Sequence, residues 1–125
     1  MSKADQQQTI QQFLDLFKDV ATREGINVSP REKNKLALIE LGLTAKIRTS
    51  IIMNLTTDDY VCGPEPDLNR KGEVWVFGTA IQTIEIYIKI KVAEYTPLDS
   101  TKSVRQAVCI SFHPAEEPLQ YPLKS

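Results

Sequence analysis

The sequence predicts an α+β fold in which N-terminal helices pack on one face of a small antiparallel β-sheet. Helical periodicity is confined to the first half of the 125-residue chain. The second half carries two alternating runs, residues 84–92 and 105–112, with a polar loop between them. Such alternation is typical of strands that bury one face in a hairpin. A chain of this length forms a single domain, which we predict over residues 1–125, with residues 1–30 as a helical extension.

Three helices are predicted in the first half. The first spans residues 5–24, where apolar residues recur at the i, i+3, i+4, i+7 spacing. A short extended connector, residues 26–28, follows it. Ser29 and Pro30 are predicted to cap and open the second helix, which runs through Leu36, Leu38, Ile39 and Leu41 until Gly42 ends it. Thr44 is predicted to cap a third helix, whose apolar residues are Ile47, Ile51, Ile52 and Leu55.

The strands follow a turn at residues 56–60. We expect the next segment, residues 62–72, to be an irregular loop whose two prolines limit its freedom. The remaining prediction is a strand (73–77), a turn (78–82), a long strand (83–92), a hairpin loop (95–103), a last strand (105–112) and an extended surface segment (114–125).

The two long strands predict one apolar and one polar sheet face, since successive side chains point to opposite sides. The core face would carry Ile84, Ile86, Ile88, Ile90 and Val92, with Val108, Ile110 and Phe112. The open face would carry Glu85, Tyr87, Lys89 and Lys91, with Arg105, Ser111 and His113, the only histidine. A tyrosine, lysines and a histidine are the side chains that RNA cleavage without a metal requires.

Composition limits the classes of function. The net charge of −1 counts modestly against a nucleic-acid binder, although Lys89, Lys91 and Arg105 would form a local basic cluster if the strands pair. Cys62 and Cys109 are expected to be reduced thiols. The apolar runs are too short to span a bilayer, and the N-terminus lacks a secretory pattern, so we expect a cytoplasmic protein.

Other roles compete for these residues. Cys62 with His113 would make a cysteine hydrolase. The acidic pair Glu116-Glu117 could place a carboxylate beside His113, where Glu116 would orient the ring or act as a base. Cys109 and His113 would lie about 13 Å apart on one strand, too far to share zinc. We expect no metal and no other cofactor. Trp75 could stack on a base but is expected in the core, and lysines on a strand can simply be solvated.

The chain resembles the MqsR-type toxins of bacterial toxin–antitoxin systems, which belong to the wider RelE-like fold of messenger-RNA endonucleases. The likeness covers roughly residues 36–113 and rests on the order of short motifs. These are Leu41-Gly42-Leu43 before a short helix, Asp59-Tyr60, Trp75 in the first strand, Tyr87 and Lys89 in the next, and Ser111-Phe112 in the last. Blocks such as Glu73-Val74-Trp75-Val76-Phe77-Gly78 suggest a distinct branch.

This resemblance implies a metal-independent endoribonuclease toxin that inhibits translation and is held inactive by a cognate antitoxin. His113, which stands where the family has a lysine, would be the general acid or base. Tyr87 and Lys89 would contact the phosphate or donate protons. Further RNA contacts are expected from Arg70, Lys71, Lys91 and Arg105.

Two further family positions have changed, because Cys62 replaces a lysine and Val76 replaces a glutamine. The loss of these polar groups favours an alternative, a non-catalytic interaction module that binds a partner through its N-terminal helix. The two hypotheses predict different partners, RNA with an antitoxin for the toxin and a protein alone for the module. Neither involves a membrane.

Overall fold

A computed structural model describes residues 2–124 and confirms the α+β class. In this range three α-helices accompany a five-stranded sheet of order β1-β5-β4-β3-β2, in which only β1 and β5 pair in parallel. The elements are α1 (Lys3–Glu24), β1 (Ile26–Val28), α2 (Glu32–Leu41), α3 (Ala45–Met53), a 3₁₀ turn (Thr57–Asp59), β2 (Tyr60–Pro66), β3 (Glu73–Ile81), β4 (Ile84–Tyr95) and β5 (Val104–Pro114). None of the helices described is long and apolar enough to cross a membrane.

Helix α1 covers the inner face of the sheet. The Ser2 hydroxyl caps it by accepting a hydrogen bond from the Asp5 amide at 3.1 Å. Its buried stripe consists of Ile10, Leu14, Phe17, Val20 and Ala21, which share one core with β3, β4 and β5. Phe13 of this helix stacks on Trp75 with ring centroids 4.4 Å apart. Trp75 is therefore a core residue, as expected, and α1 is an integral layer of the fold.

The predicted connector at residues 26–28 is in fact the edge strand β1. Ile26 pairs with Ala107 and Val28 with Cys109 in parallel. The Ser29 amide continues the ladder by donating to the Cys109 carbonyl at 2.9 Å. Three residues are too few for a sequence pattern, so only the pairing with β5 defines this strand.

Helix α2 starts later than predicted and leaves two of its apolar side chains exposed. It begins after Arg31 rather than at Ser29 and Pro30, and Arg31 makes no side-chain cap. Leu36 and Ile39 are 43% and 77% exposed, whereas Asn34 and Ala37 are buried. The apolar residues of this helix therefore do not mark the face that it buries. The predicted end of α2 at Gly42 is confirmed, since this residue adopts the left-handed conformation at φ 65°. The predicted cap of α3 by Thr44 is also confirmed.

A β-bulge in β5 explains why a polar side chain anchors α2. Lys89 pairs with Ser111 but Ile90 pairs with Cys109, so Ile110 has no partner on β4. The buried Asn34 amide satisfies the backbone groups that the bulge frees. It donates to the Ile110 carbonyl at 2.9 Å, and its carbonyl accepts from the Phe112 amide at 2.9 Å.

The bulge also reverses the predicted faces of β5 before residue 111. Ala107 and Cys109 join Phe112 in the core, while Val108 and Ile110 lie on the opposite face. The prediction that Val108 and Ile110 point inward was wrong, because one extra residue shifts the two-residue period. On β4, Ile86, Ile88 and Ile90 are buried and Val92 packs against the core, as predicted. The prediction was wrong for Ile84, which begins the strand beside the hairpin turn and is 41% exposed.

Two segments predicted as loop or turn belong to the sheet. Residues 62–66 lie in β2, an irregular edge strand along β3, and edge strands tolerate proline. Strand β3 continues to Ile81 rather than ending at Phe77, and the hairpin turns at Gln82 and Thr83. Glycine at position 78 does not break β3, since it pairs directly with Tyr87.

The last residues form a C-terminal segment (115–124) that is more firmly packed than predicted. The Leu119 amide and the Tyr121 hydroxyl both donate to the Glu85 carboxylate, at 2.8 and 2.9 Å. A Cβ at Gly78 would lie 2.5 Å from a Leu119 methyl, so glycine lets this segment cross the open face. Leu123 then reaches the core, where it is 3% exposed.

Candidate functional site

The open face of the sheet brings the predicted catalytic residues together in adjacent rows. Residues paired directly across antiparallel strands point to the same face. Tyr87 pairs with His113, and Lys89 pairs with Ser111 in the next row. Because alternation along β4 places Tyr87 and Lys89 two residues apart on this face, the tyrosine, lysine and histidine meet at one place.

These residues line a pocket of about 400 Å³. Its floor is the sheet, one wall is the C-terminal segment, and the other is the start of α2. The side chains that bear chemistry are Arg31, Tyr87, Lys89, Ser111, His113, Glu116 and Glu117. The C-terminal segment contributes Leu119 as an apolar rim.

The rings of His113 and Tyr87 are oriented by contacts within this pocket. The two rings stack with centroids 5.5 Å apart. The Nδ1 atom of His113 lies 2.9 Å from the Pro114 carbonyl, which can only accept, so Nδ1 carries the proton. The Nε2 atom of a neutral His113 is then the unprotonated nitrogen. Burial raises the pKa of Tyr87, so its hydroxyl keeps its proton at neutral pH.

Two cations serve the same pocket, and the sequence indicated only one of them. Lys89 is half-buried in the row of Ser111. Arg31, the residue before α2, donates from Nη1 to the Ser111 hydroxyl at 3.1 Å. No sequence motif marks Arg31. It reaches the pocket because β1 pairs with β5 and thereby places the start of α2 beside Ser111.

Lys91 lies on the predicted strand but its ammonium is engaged elsewhere. It forms an ion pair with Asp67 at 2.7 Å, with the two side chains 5% and 9% exposed. Its Nζ also donates to the Lys71 carbonyl at 2.7 Å. The hydrogen bond from Lys91 lowers the pKa of Asp67. Lys91 therefore fixes the β2–β3 loop (residues 67–72) on the sheet and does not line the pocket of His113.

The other predicted RNA-binding cations are spread out. Arg70 and Lys71 are exposed in the β2–β3 loop, at a second groove beside the pocket. Arg105 is the register partner of Glu94 in the β4–β5 pairing. It stands eight residues before His113 on β5, so the two residues are roughly 26 Å apart. The expectation that Arg105 neighbours Lys89 and Lys91 was wrong, because Lys91 pairs with Val108 instead.

The thiol alternative does not fit the geometry. Cys62 is on β2 and His113 on β5, three strand spacings or roughly 14 Å apart. Burial, together with the Glu65 carboxylate, raises the pKa of Cys62 to about 11, whereas a catalytic thiol needs a lowered pKa. Glu116 does not orient His113 either, since it is paired with Lys33, which lowers the pKa of Glu116.

Comparisons of the chain with protein families, with curated proteins and with solved structures find no match. Within residues 2–124, no three His, Cys, Asp or Glu side chains are grouped as a metal site would require. Functional inference accordingly depends on the pocket and on the motifs themselves.

Proposed function

We propose that the protein is an endoribonuclease that cleaves messenger RNA without a metal ion. One observation carries this proposal, the convergence of His113, Tyr87, Lys89 and Arg31 on a single pocket of the open sheet face. An acid–base group beside two cations is what transfer of a phosphodiester from its 5′-oxygen to the neighbouring 2′-oxygen requires.

The proposed base is Nε2 of His113. It takes the proton of the 2′-hydroxyl as that oxygen attacks the adjacent phosphorus. The hydrogen bond from Nδ1 to the Pro114 carbonyl holds the ring with Nε2 free to accept, and the stacked Tyr87 ring limits its rotation. Such positioned proton transfer contributes typically about 10²- to 10⁴-fold to a rate.

The proposed phosphate ligands are Lys89 and Arg31. In the transition state the nonbridging oxygens gain charge, and fixed cations there stabilise it more than water does. Tyr87 is the proposed acid, because its raised pKa keeps the hydroxyl protonated until the bond to the 5′-oxygen breaks. The products are a 2′,3′-cyclic phosphate and a 5′-hydroxyl end. His113 then releases its extra proton to water and Tyr87 takes one from water, so both groups return to their starting states.

The resemblance to MqsR-type toxins supports a more specific role. We infer that the protein is the toxin of a type II toxin–antitoxin system, cleaves messenger RNA to inhibit translation, and is bound by a cognate antitoxin. Support for this role comes from the ordered motifs around Tyr87, Lys89 and Ser111. Of the two departures, Cys62 lies on the edge strand β2, whereas Val76 lies on β3 and pairs directly with Lys89.

The test is cleavage of a labelled RNA by the purified protein in the presence of a chelator. Wild type should yield 2′,3′-cyclic phosphate ends, and His113→Ala should lower the rate at least 100-fold without changing the melting temperature. Lys3→Ala, on the helix that covers the opposite face, is the matched control and should cleave normally. RNA left intact by wild type, or full activity in His113→Ala, would refute the assignment.

A second candidate function, a non-catalytic interaction module, is supported by an apolar surface rather than by α1. The apolar stripe of α1 is buried, so this helix leaves only a polar face exposed for the predicted contact. Leu36, Ile39 and Ile47 on α2 and α3 are instead 43%, 77% and 46% exposed. Failure of the wild-type protein both to cleave RNA and to arrest growth when expressed alone would favour this reading.

A further inference from the structure

A second groove, of about 880 Å³, lies beside the catalytic pocket. It is bounded by β1, β4 and β5, by the start of α2 and by the β2–β3 loop. Arg31 lines both the pocket and the groove, so the two adjoin at this residue on the open face. A chain bound at His113 can therefore extend into the groove without leaving the surface.

The floor of the groove is apolar, although it lies on the polar face of the sheet. Val108 and Ile110 form this floor because the bulge in β5 turns them away from the core. Neither belongs to the hydrophobic core cluster of the described residues. Such a floor offers an apolar surface against which the face of an unpaired nucleobase can pack.

Two amide side chains border this floor. Asn27 of β1 pairs with Val108, and Gln106 stands two residues before Val108 on β5. Asn27 is exposed and Gln106 is half-buried, and both line the groove. An amide offers a donor and an acceptor side by side, which is the pattern needed to recognise the edge of a base.

The charge of the groove is positive where a phosphate would pass. Arg70 and Lys71 stand at its mouth on the loop that Lys91 and Asp67 fix to the sheet. The carboxylate of Asp67 is offset by Lys91 and is 9% exposed, so it repels a phosphate little. Glu94 is a negative charge at the border of the groove. Its register partner on β5 is the positively charged Arg105.

We propose that this groove binds the nucleotide next to the dinucleotide step that is cleaved. The base rests on Val108 and Ile110, its edge meets Asn27 and Gln106, and its phosphate meets Arg70 and Lys71. Because the edge must be unpaired to be recognised, the substrate is single-stranded RNA. This inference rests on the proposed endoribonuclease function and adds a specificity subsite to it.

The test compares cleavage of a dinucleotide with cleavage of trinucleotides that differ only in the additional base. In wild type, kcat/KM should be roughly tenfold higher for the preferred trinucleotide, which is the size of one stacked or hydrogen-bonded base contact. In the double variant Asn27→Ala/Gln106→Ala this ratio should fall towards one and the base preference should disappear. Lys3→Glu, on the opposite side of the sheet, should keep the wild-type ratio.

A second measurement uses exposed loop residues, whose substitution leaves the core intact. In an Arg70→Glu/Lys71→Glu double variant, binding of a fluorescent RNA oligonucleotide should weaken, and the slope of log affinity against log salt should fall by roughly 1.4. An unchanged slope together with an unchanged trinucleotide ratio in Asn27→Ala/Gln106→Ala would overturn the subsite but leave the endoribonuclease in place. Wild type that cleaves neither substrate would overturn the proposed function and the subsite with it.

Discussion

The buried ion pair between Lys91 and Asp67 makes a sharp prediction about stability. We expect Asp67→Asn to destabilise the protein strongly, because it leaves the Lys91 ammonium buried with no opposite charge. The two side chains are 5% and 9% exposed and their charged atoms are 2.7 Å apart. Removing one partner of such a pair costs about 3–5 kcal/mol.

Two local contacts place the expected loss of unfolding free energy at the lower end of that range. The Lys71 carbonyl still accepts from the Lys91 ammonium at 2.7 Å, which offsets part of the desolvation. An asparagine can keep the 3.0 Å bond that Asp67 accepts from the Asn69 amide. We therefore expect a loss of about 3 kcal/mol, out of the roughly 5–15 kcal/mol by which domains are stable.

The assay is urea unfolding followed by fluorescence of Trp75, the single tryptophan, which packs on Phe13. The expected difference between wild type and Asp67→Asn has a defined pH dependence. The folded pKa of Asp67 is lowered, so its contribution is present above the unfolded pKa, about 3.9, and is lost as pH falls further. The difference should be constant from about pH 5 to 7 and shrink below about pH 4.

A second variant tests whether the loss of stability comes from the unpaired charge of Lys91. Asp67→Asn/Lys91→Met removes both charges and should recover most of the loss, since a neutral pair carries no uncompensated buried charge. Lys89→Met, two residues away on the same strand face, is the control for loss of a lysine. A difference below about 1 kcal/mol at pH 7, or one that does not change with pH, would contradict the account.

Two other predictions follow from the bulge and from Cys62. Asn34→Leu should cost about 3 kcal/mol in urea unfolding, because the Ile110 carbonyl and Phe112 amide lose their buried partner; Lys35→Ala, on the exposed side of the same helix, should cost under about 0.5 kcal/mol. Cys62, with its pKa raised to about 11, should react with iodoacetamide roughly 100-fold more slowly at pH 8 than a free cysteine, and about tenfold faster per pH unit up to pH 9.5. Rapid alkylation at pH 8 would show that the thiol is not protected by burial.

Much of the fold was accessible from local patterns. The stripe of α1, the caps at Thr44 and Gly42, and the alternation in β4 each depend on neighbouring residues alone. The same holds for the row of Tyr87 and His113, which needed only the pairing of two adjacent strands. Sequence reasoning failed for α2, where Leu36 and Ile39 are exposed, because burial there depends on how the helix meets the bulge in β5.

The sequence by itself determined which residues form the helices, the regular strand β4 and its polar face, since these follow from side-chain periodicity and capping. Only the tertiary structure decided the shape of the site. A single unpaired residue, Ile110, turned Val108 outward, and the parallel pairing of three residues in β1 brought Arg31 to Ser111. An ion pair across the sheet withdrew Lys91 from the pocket. Such contacts join residues far apart in the chain, so no local pattern records them.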